Sequence, residues 1–163
     1  MGRTADYSRQ SCSIAAALEV IGDPWTLLVI RDAFSGVRRF EQWQDRLGVA
    51  RNVLAARLKT LVAHGILEPQ VYSERPLRHE YVLTRKGKDL YAVLLTLHGW
   101  GAKYMYGGGQ DAGVAIVHKG CGQLLDPGLA CNCCGEKVER RDIELIKRDG
   151  PTVGEIMARE DAA

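Results

Sequence analysis

No apolar run in this 163-residue chain approaches the ~18 residues of a membrane-spanning helix. No charged-then-apolar leader opens it either, so the expected location is the cytoplasm, with no membrane partner. Enzyme machinery is equally scarce. No paired carboxylates stand out for acid–base work, and His64, His79 and His98 form no constellation with a nucleophile. Gly107, Gly108 and Gly109 have neither the lysine nor the helix of a nucleotide cradle. Catalysis therefore has no candidate residues. A hydrophobic fraction of 46% and a charged fraction of 26% are ordinary globular values and exclude disordered, collagen-like and coiled-coil chains.

What is present is unevenly placed. Residues 31–88 carry twelve basic and six acidic side chains, a net +6, whereas the flanking segments are net negative. The middle third is thus the electropositive part, which points to a polyanion partner for that segment. Cysteines are uneven too. Cys12 stands alone, while Cys121, Cys131, Cys133 and Cys134 crowd into fourteen residues. In a reducing compartment such crowding reads as metal chemistry before disulfides.

Hydrophobic periodicity predicts the order of elements. Ile14, Leu18 and Ile21 mark an amphipathic helix over 13–22. Asp23 and Pro24 then supply an N-cap and first position for an almost wholly apolar helix over 24–34. Phe40, Trp43 and Leu47 share one face of a helix over 39–47, closed by Gly48. In the next helix, about 50–64, Leu54, Leu58, Leu61 and Val62 form the core stripe. Its opposite face is small, polar and basic, with no acidic residue from Arg51 through Ala63; a merely solvated face usually mixes both signs. Residues 66–73 and 79–84 read as two strands, with Pro69 arguing for an edge, joined by a basic loop over 74–78. Thr84 caps a helix over 85–105 in which Leu90, Val93, Leu94, Leu97, Trp100 and Tyr104 recur at three- and four-residue steps. That spacing suits packing on a second subunit or on the chain's own core.

This is the order of a winged helix-turn-helix unit, and the physical logic fits duplex DNA. A helix with a small, hydrogen-bonding outer face can enter the ~12 Å major groove and touch base edges. A basic hairpin tip adds salt-dependent phosphate contacts and register.

Cys12-Ser13 opening a helix, the run ALEVIGDPWTLLVIRDAFSGVRRFEQW, then VLAARLKTLVAHGILEPQVY and RHEYVLTRKG resemble the HxlR-type, MarR-like bacterial transcription regulators over residues 11–104. The resemblance implies a homodimer on a pseudo-palindromic double-stranded DNA operator, paired through the first helix and the helix over 85–105. By position it assigns the recognition helix to Arg51 through Leu61. Arg51, Asn52, Ala55, Ala56 and Lys59 would face the groove, and Arg57 would lie on the flank, toward a phosphate or a neighbouring carboxylate. Arg38 and Arg39 would meet phosphates, and Arg75 and Arg78 would sit on the wing. Ser13 departs from the proline common after the family's N-terminal cysteine. Some members sense oxidants or electrophiles through that cysteine, so Cys12 is either a redox sensor or a small residue at a helix start.

Toward the C-terminus, His118, Cys121, Cys131 and Cys134 are spaced as two knuckles, H-x2-C and C-x2-C, nine residues apart, each followed by glycine. Four such ligands can close a tetrahedral structural Zn2+ site, and a module this small would draw its stability from the metal. Cys133 is surplus to four-coordination. The expected fold is mainly α (α+β): a winged helix-turn-helix domain with a long dimerisation helix over 11–106, a linker over 107–113, a small β zinc-ribbon-like module over 114–150 and a tail over 151–163. The expected function is a DNA-binding transcription regulator, acting as a repressor, with a small-molecule or oxidant effector as a further partner. The alternative is an interaction module whose ribbon docks another protein.

Overall fold

The computed structural model describes residues 6–106, 113–125, 127–144, 146, 149–160 and 162. The linker expected over 107–113 lies, apart from Gly113, outside the described residues. Two compact units emerge, Met1–Asp89 with Arg148–Ala163, and Leu90–Lys147. The first holds α1 (Ser13–Ile21), α2 (Pro24–Phe34), α3 (Phe40–Leu47), α4 (Arg51–Ala63), β1 (Leu67–Glu74), β2 (Leu77–Leu83) and α5 (Arg85–Asp89). The second holds α6 (Tyr91–Met105), and the first is completed by α7 (Val153–Glu160). Among the described residues no single helix is long and apolar enough to cross a membrane.

Local chemistry sets the helix boundaries. Asp23 Oδ1 accepts the Trp25 N–H at 3.0 Å, and Pro24 fills the first position, where no N–H partner is needed. Gly48, at φ +61°, ends α3, and only Gly48, Val49 and Ala50 separate it from α4. Such a three-residue turn with a left-handed glycine is what a helix-turn-helix requires. Leu54, Leu58 and Leu61 are fully buried as their spacing predicts, beneath Val29, Ile30 and Trp43. Val62 is only half-buried.

The two strands pair antiparallel, Leu67 opposite Leu83 and Pro69 opposite Tyr81, with a bulge between Val71 and Ser73. Across the outer edge of β2 the Tyr81 N–H donates to the Arg38 carbonyl at 2.7 Å. That bond ties the wing to the segment entering α3.

Some sequence expectations change. The helix foreseen over 85–105 is two pieces, broken at Leu90. On α1 the buried residues are Ala15 and Ile21, while Ile14 and Leu18 face outward at 70% and 40% exposure. The apolar stripe is therefore split, with only Ile21 of its three residues in the chain's own core. The last residues, left without a role by the sequence, form α7, which packs on α1. Val153 is buried and donates its N–H to Gln10, the Gly154 N–H reaches Ser8, and Glu160 accepts from His64 Nδ1 (2.9 Å) and Lys86 Nζ (3.0 Å). Those two partners hold the Glu160 carboxyl below the usual glutamate range, the His64 hydrogen bond contributing most.

One buried charge anchors the helix-turn-helix. The Asp32 side chain is completely buried and meets Arg31 at 2.9 Å and Arg46 of α3 at 3.4 Å. Its Oδ2 has the Arg46 guanidinium nearby without an aligned hydrogen bond. Both arginines are half-exposed and can return to water, but the carboxylate cannot. Removing both, Arg31→Ala with Arg46→Ala, strands the charge and is expected to cost about 3–5 kcal/mol. Asp32→Ala is expected to cost less, because it deletes the buried charge itself; chemical denaturation of the two variants measures the difference.

Within the second unit the two knuckles repeat one another at a thirteen-residue offset. Val117 bridges Leu124 as Ala130 bridges Lys137. The His118 N–H reaches the Gln123 carbonyl and the Gly122 N–H reaches that of His118. The Cys131 N–H reaches Glu136 and the Gly135 N–H reaches Cys131 in the same way. Gly122 and Gly135 sit at φ +70° and +76°, a region in which a Cβ is strained.

Candidate nucleic-acid interface

The outer face of α4 is assembled by the core beneath it. Burying Leu54, Leu58 and Leu61 turns Arg51, Asn52, Ala55, Ala56 and Lys59 to solvent, and all five are exposed. Ala55 and Ala56 keep the face low, so flanking polar side chains can reach past them. Lys59 has no ion pair among the described residues. Arg51 is pre-oriented: its guanidinium lies 4.8 Å from the Phe40 ring centre and donates to Gln44 Oε1 at 2.9 Å.

Arg57 parts from this set. It is on the flank, only 29% exposed, and pairs with Asp23 Oδ2 at 3.3 Å. Its charge is spent on tying α4 to the start of α2, the carboxylate partner that helical geometry allowed. Arg38 and Arg39 lie exposed before α3, where the Gln42 side chain accepts from both backbone N–H groups. Arg38 also faces Glu80 at 3.5 Å, a loose and solvated pair. Arg39 lies over the Tyr72 ring at 4.3 Å. Arg75 and Arg78 are exposed at the hairpin tip. The segment before α3, α4 and the wing therefore contribute guanidinium or ammonium groups within one compact unit.

In the second unit, α6 buries none of its residues, and Val93, Leu97, Trp100 and Tyr104 repeat along it at 44–59% exposure. In the first unit Trp43 is sealed in the core, donating to the Val29 carbonyl at 3.1 Å.

The metal-ligand candidates come together in pairs. His118 Nδ1 lies 3.3 Å from Cys121 Sγ. Cys131 and Cys134 share the second knuckle, where the Cys134 N–H, and next that of Cys133, bonds the Cys131 sulfur and lowers its thiol pKa. Each knuckle thus has a donor pair suited to a thiophilic metal, and glycines at the required turns. Among the described residues, however, no three such donors converge, so the two pairs do not form one closed cage. Cys12 is exposed just before α1, and its side chain makes no capping hydrogen bond.

The helix order, the glycine turn and the wing can be set beside known proteins. The profile of the HxlR-like helix-turn-helix family matches residues 20–108. The chain belongs to the HxlR-like helix-turn-helix family. It is similar to an uncharacterised HTH-type transcriptional regulator of Mycobacterium bovis, Mb3122, 42% identical over 131 residues, 80% of this chain and 82% of that one. Among solved structures it resembles PA1607, a transcription-factor candidate, at 36% identity and TM-score 0.75, over 88% of this chain and 99% of that one. It also resembles the redox regulator HypR in its reduced form, at 26% identity and TM-score 0.54, over 59% and 98%. This HxlR-like protein is accordingly a helix-turn-helix transcriptional regulator and not an enzyme.

Sequence reasoning missed the Arg51–Phe40–Gln44 contacts, the Arg39–Tyr72 stack and the burial of Asp32. An aromatic residue close in the fold to an unpaired arginine was the available signal, and only the wing's register brings Tyr72 to Arg39.

Proposed function

We propose that this HxlR-like protein acts as a homodimeric repressor that binds a pseudo-palindromic operator. The observation that carries the reading is the exposed, acid-free face of α4, in which Arg51, Asn52 and Lys59 flank two alanines. Arg51, Asn52 and Lys59 read base edges. Arg38, Arg39, Arg75 and Arg78 hold phosphates and set register. Dimer formation is supported by the outward Ile14 and Leu18 of α1 and the exposed stripe of α6, apolar surface that a lone subunit would leave in water. Duplex binding followed by fluorescence anisotropy at increasing salt tests this. Arg75→Ala should reduce the salt slope by about one unit per half-site without changing the preferred sequence. Binding that is independent of salt would turn the basic face into a protein-docking surface instead.

In this reading binding of a structural zinc ion joins the two separate donor pairs, His118 with Cys121 and Cys131 with Cys134, into one set, with Cys133 outside it. Support comes from the duplicated turns and from the donor pair in each. One zinc per chain is expected by elemental analysis. Its removal by a chelator should speed amide exchange over residues 114–138 and leave the first unit's exchange unchanged. Protein prepared with zinc in excess that retains no metal and shows five freely titrating thiols would refute the site. Cys12 is the proposed oxidant-sensing residue, supported by its exposure and by the redox-regulating relative. Cys12→Ser should abolish any oxidant sensitivity of DNA binding.

A further inference from the structure

Arg51 stands at the first position of α4, the positive end of a helix, where the backbone itself disfavours a cation. Two side chains of α3 hold it there. Phe40 and Gln44 lie one helical turn apart, and the turn at Gly48 brings the start of α4 back beside them. The Phe40 ring takes one face of the guanidinium at 4.8 Å, and Gln44 Oε1 accepts from Nη1 at 2.9 Å. The plane and one edge of the fork are therefore both set. Both holders are half-buried, and both are neutral. Arg57, six residues on, is the contrast: its partner is the Asp23 carboxylate at 3.3 Å, which offsets its charge. Among the described residues Arg51 has no ion pair, so it keeps its charge while it gives up its freedom.

A solvated face gains nothing from such a hold, but a base-reading face does. A guanidinium already in place loses less rotamer freedom on binding, and its remaining N–H groups present a planar fork of set direction. In the major groove guanine alone offers two acceptors, O6 and N7, on one edge, the match for that fork. Adenine puts a donor in place of one of them. We propose that Arg51 reads a guanine in each half-site, and that Phe40 and Gln44 are the positioning residues that set this preference. The proposal rests on the DNA-binding reading above and assigns part of its specificity to side chains outside α4. A phosphate contact would gain little from the hold, since phosphate oxygens carry no sequence information. The neutral amide of Gln44 also has a reason. A carboxylate in its place would orient the fork equally well but bring a negative charge toward the duplex.

The test is selection of random duplexes by the full chain, followed by anisotropy on the wild type's own enriched duplex with each base pair changed in turn. The wild type should require G·C at one position of each half-site, and Arg51→Ala should lose that requirement alone. Gln44→Met keeps size and helix but cannot accept the hydrogen bond. It should lower discrimination at that position about tenfold and leave the other positions unchanged. Phe40→Leu should do the same, and Phe40→Tyr should keep the wild-type preference. Gln44→Glu should keep the preference while weakening binding to every sequence. In an Arg51→Ala background Gln44→Met should change discrimination no further. Uniform weakening over all base pairs in Gln44→Met or Phe40→Leu protein with wild-type circular dichroism would make Arg51 a phosphate contact and overturn the proposal. An unchanged preference in both variants, or a change centred on another position, would also overturn it. A wild type that enriches no sequence would overturn the DNA-binding reading, and this inference with it.

Discussion

The double substitution Arg51→Ala and Lys59→Ala is expected to reduce operator affinity about a thousandfold or more, to the level of non-specific binding. Each side chain that reads a base edge contributes about 1–3 kcal/mol of discrimination, and a dimer loses both contacts in both half-sites. The fold should survive. Both residues are exposed on α4, Lys59 has no ion pair among the described residues, and Arg51 bonds only to half-buried Gln44 and stacks on Phe40. Alanine is also the residue best suited to a helix. A change in unfolding free energy within about 0.5 kcal/mol, beside lost gel-shift and anisotropy signals, is the expected pair of results. Equal loss of stability and binding would mean that the face supports the fold rather than the DNA.

Trp43→Ala is expected to cost about 3–5 kcal/mol of stability. The indole is wholly buried between α2 and α4, so its deletion leaves a cavity that the surrounding leucines and Ile30 only partly fill. It also leaves the Val29 carbonyl without its 3.1 Å hydrogen bond and Tyr81 without its edge-on partner. A domain of this size has only about 5–15 kcal/mol in total, so the variant should sit near its unfolding midpoint under mild conditions. Trp43→Phe keeps most of the volume and should cost clearly less. Urea unfolding followed by circular dichroism measures both. A similar midpoint for all three proteins would show that Trp43 is not central to the core.

The basic solvent face of α4 was legible because a burial stripe of leucines dictates where the opposite face points, and because Arg51 to Ala63 contains no acid. The hairpin was legible from alternation, from Pro69 and from the polar loop. Other features depend on neighbours distant in the chain. Arg39 and Tyr72 are brought together only by the wing's pairing and the Tyr81–Arg38 hydrogen bond. Asp32 reads as a surface residue until α3 lays Arg46 beside it. The outward turn of Ile14 and Leu18 could not be told from core by spacing, since a stripe facing a partner has the same period as one facing its own subunit. The two knuckles were legible from donor spacing and from Gly122 and Gly135, whereas the matching backbone bonds that make them repeat leave no side-chain trace. The tail reads as a short strand or helix without a role, because α7 shows its purpose only against Gln10, His64 and Lys86.

The central claim is that α4 reads DNA as one half of a symmetric pair. Its most direct test is selection of random duplexes by the reduced, zinc-supplemented protein, scored by sequencing. Enrichment of an inverted repeat whose half-site centres lie about one helical turn apart, 10–10.5 base pairs, is the predicted result. Failure of the protein to enrich any sequence above the starting pool would contradict the account.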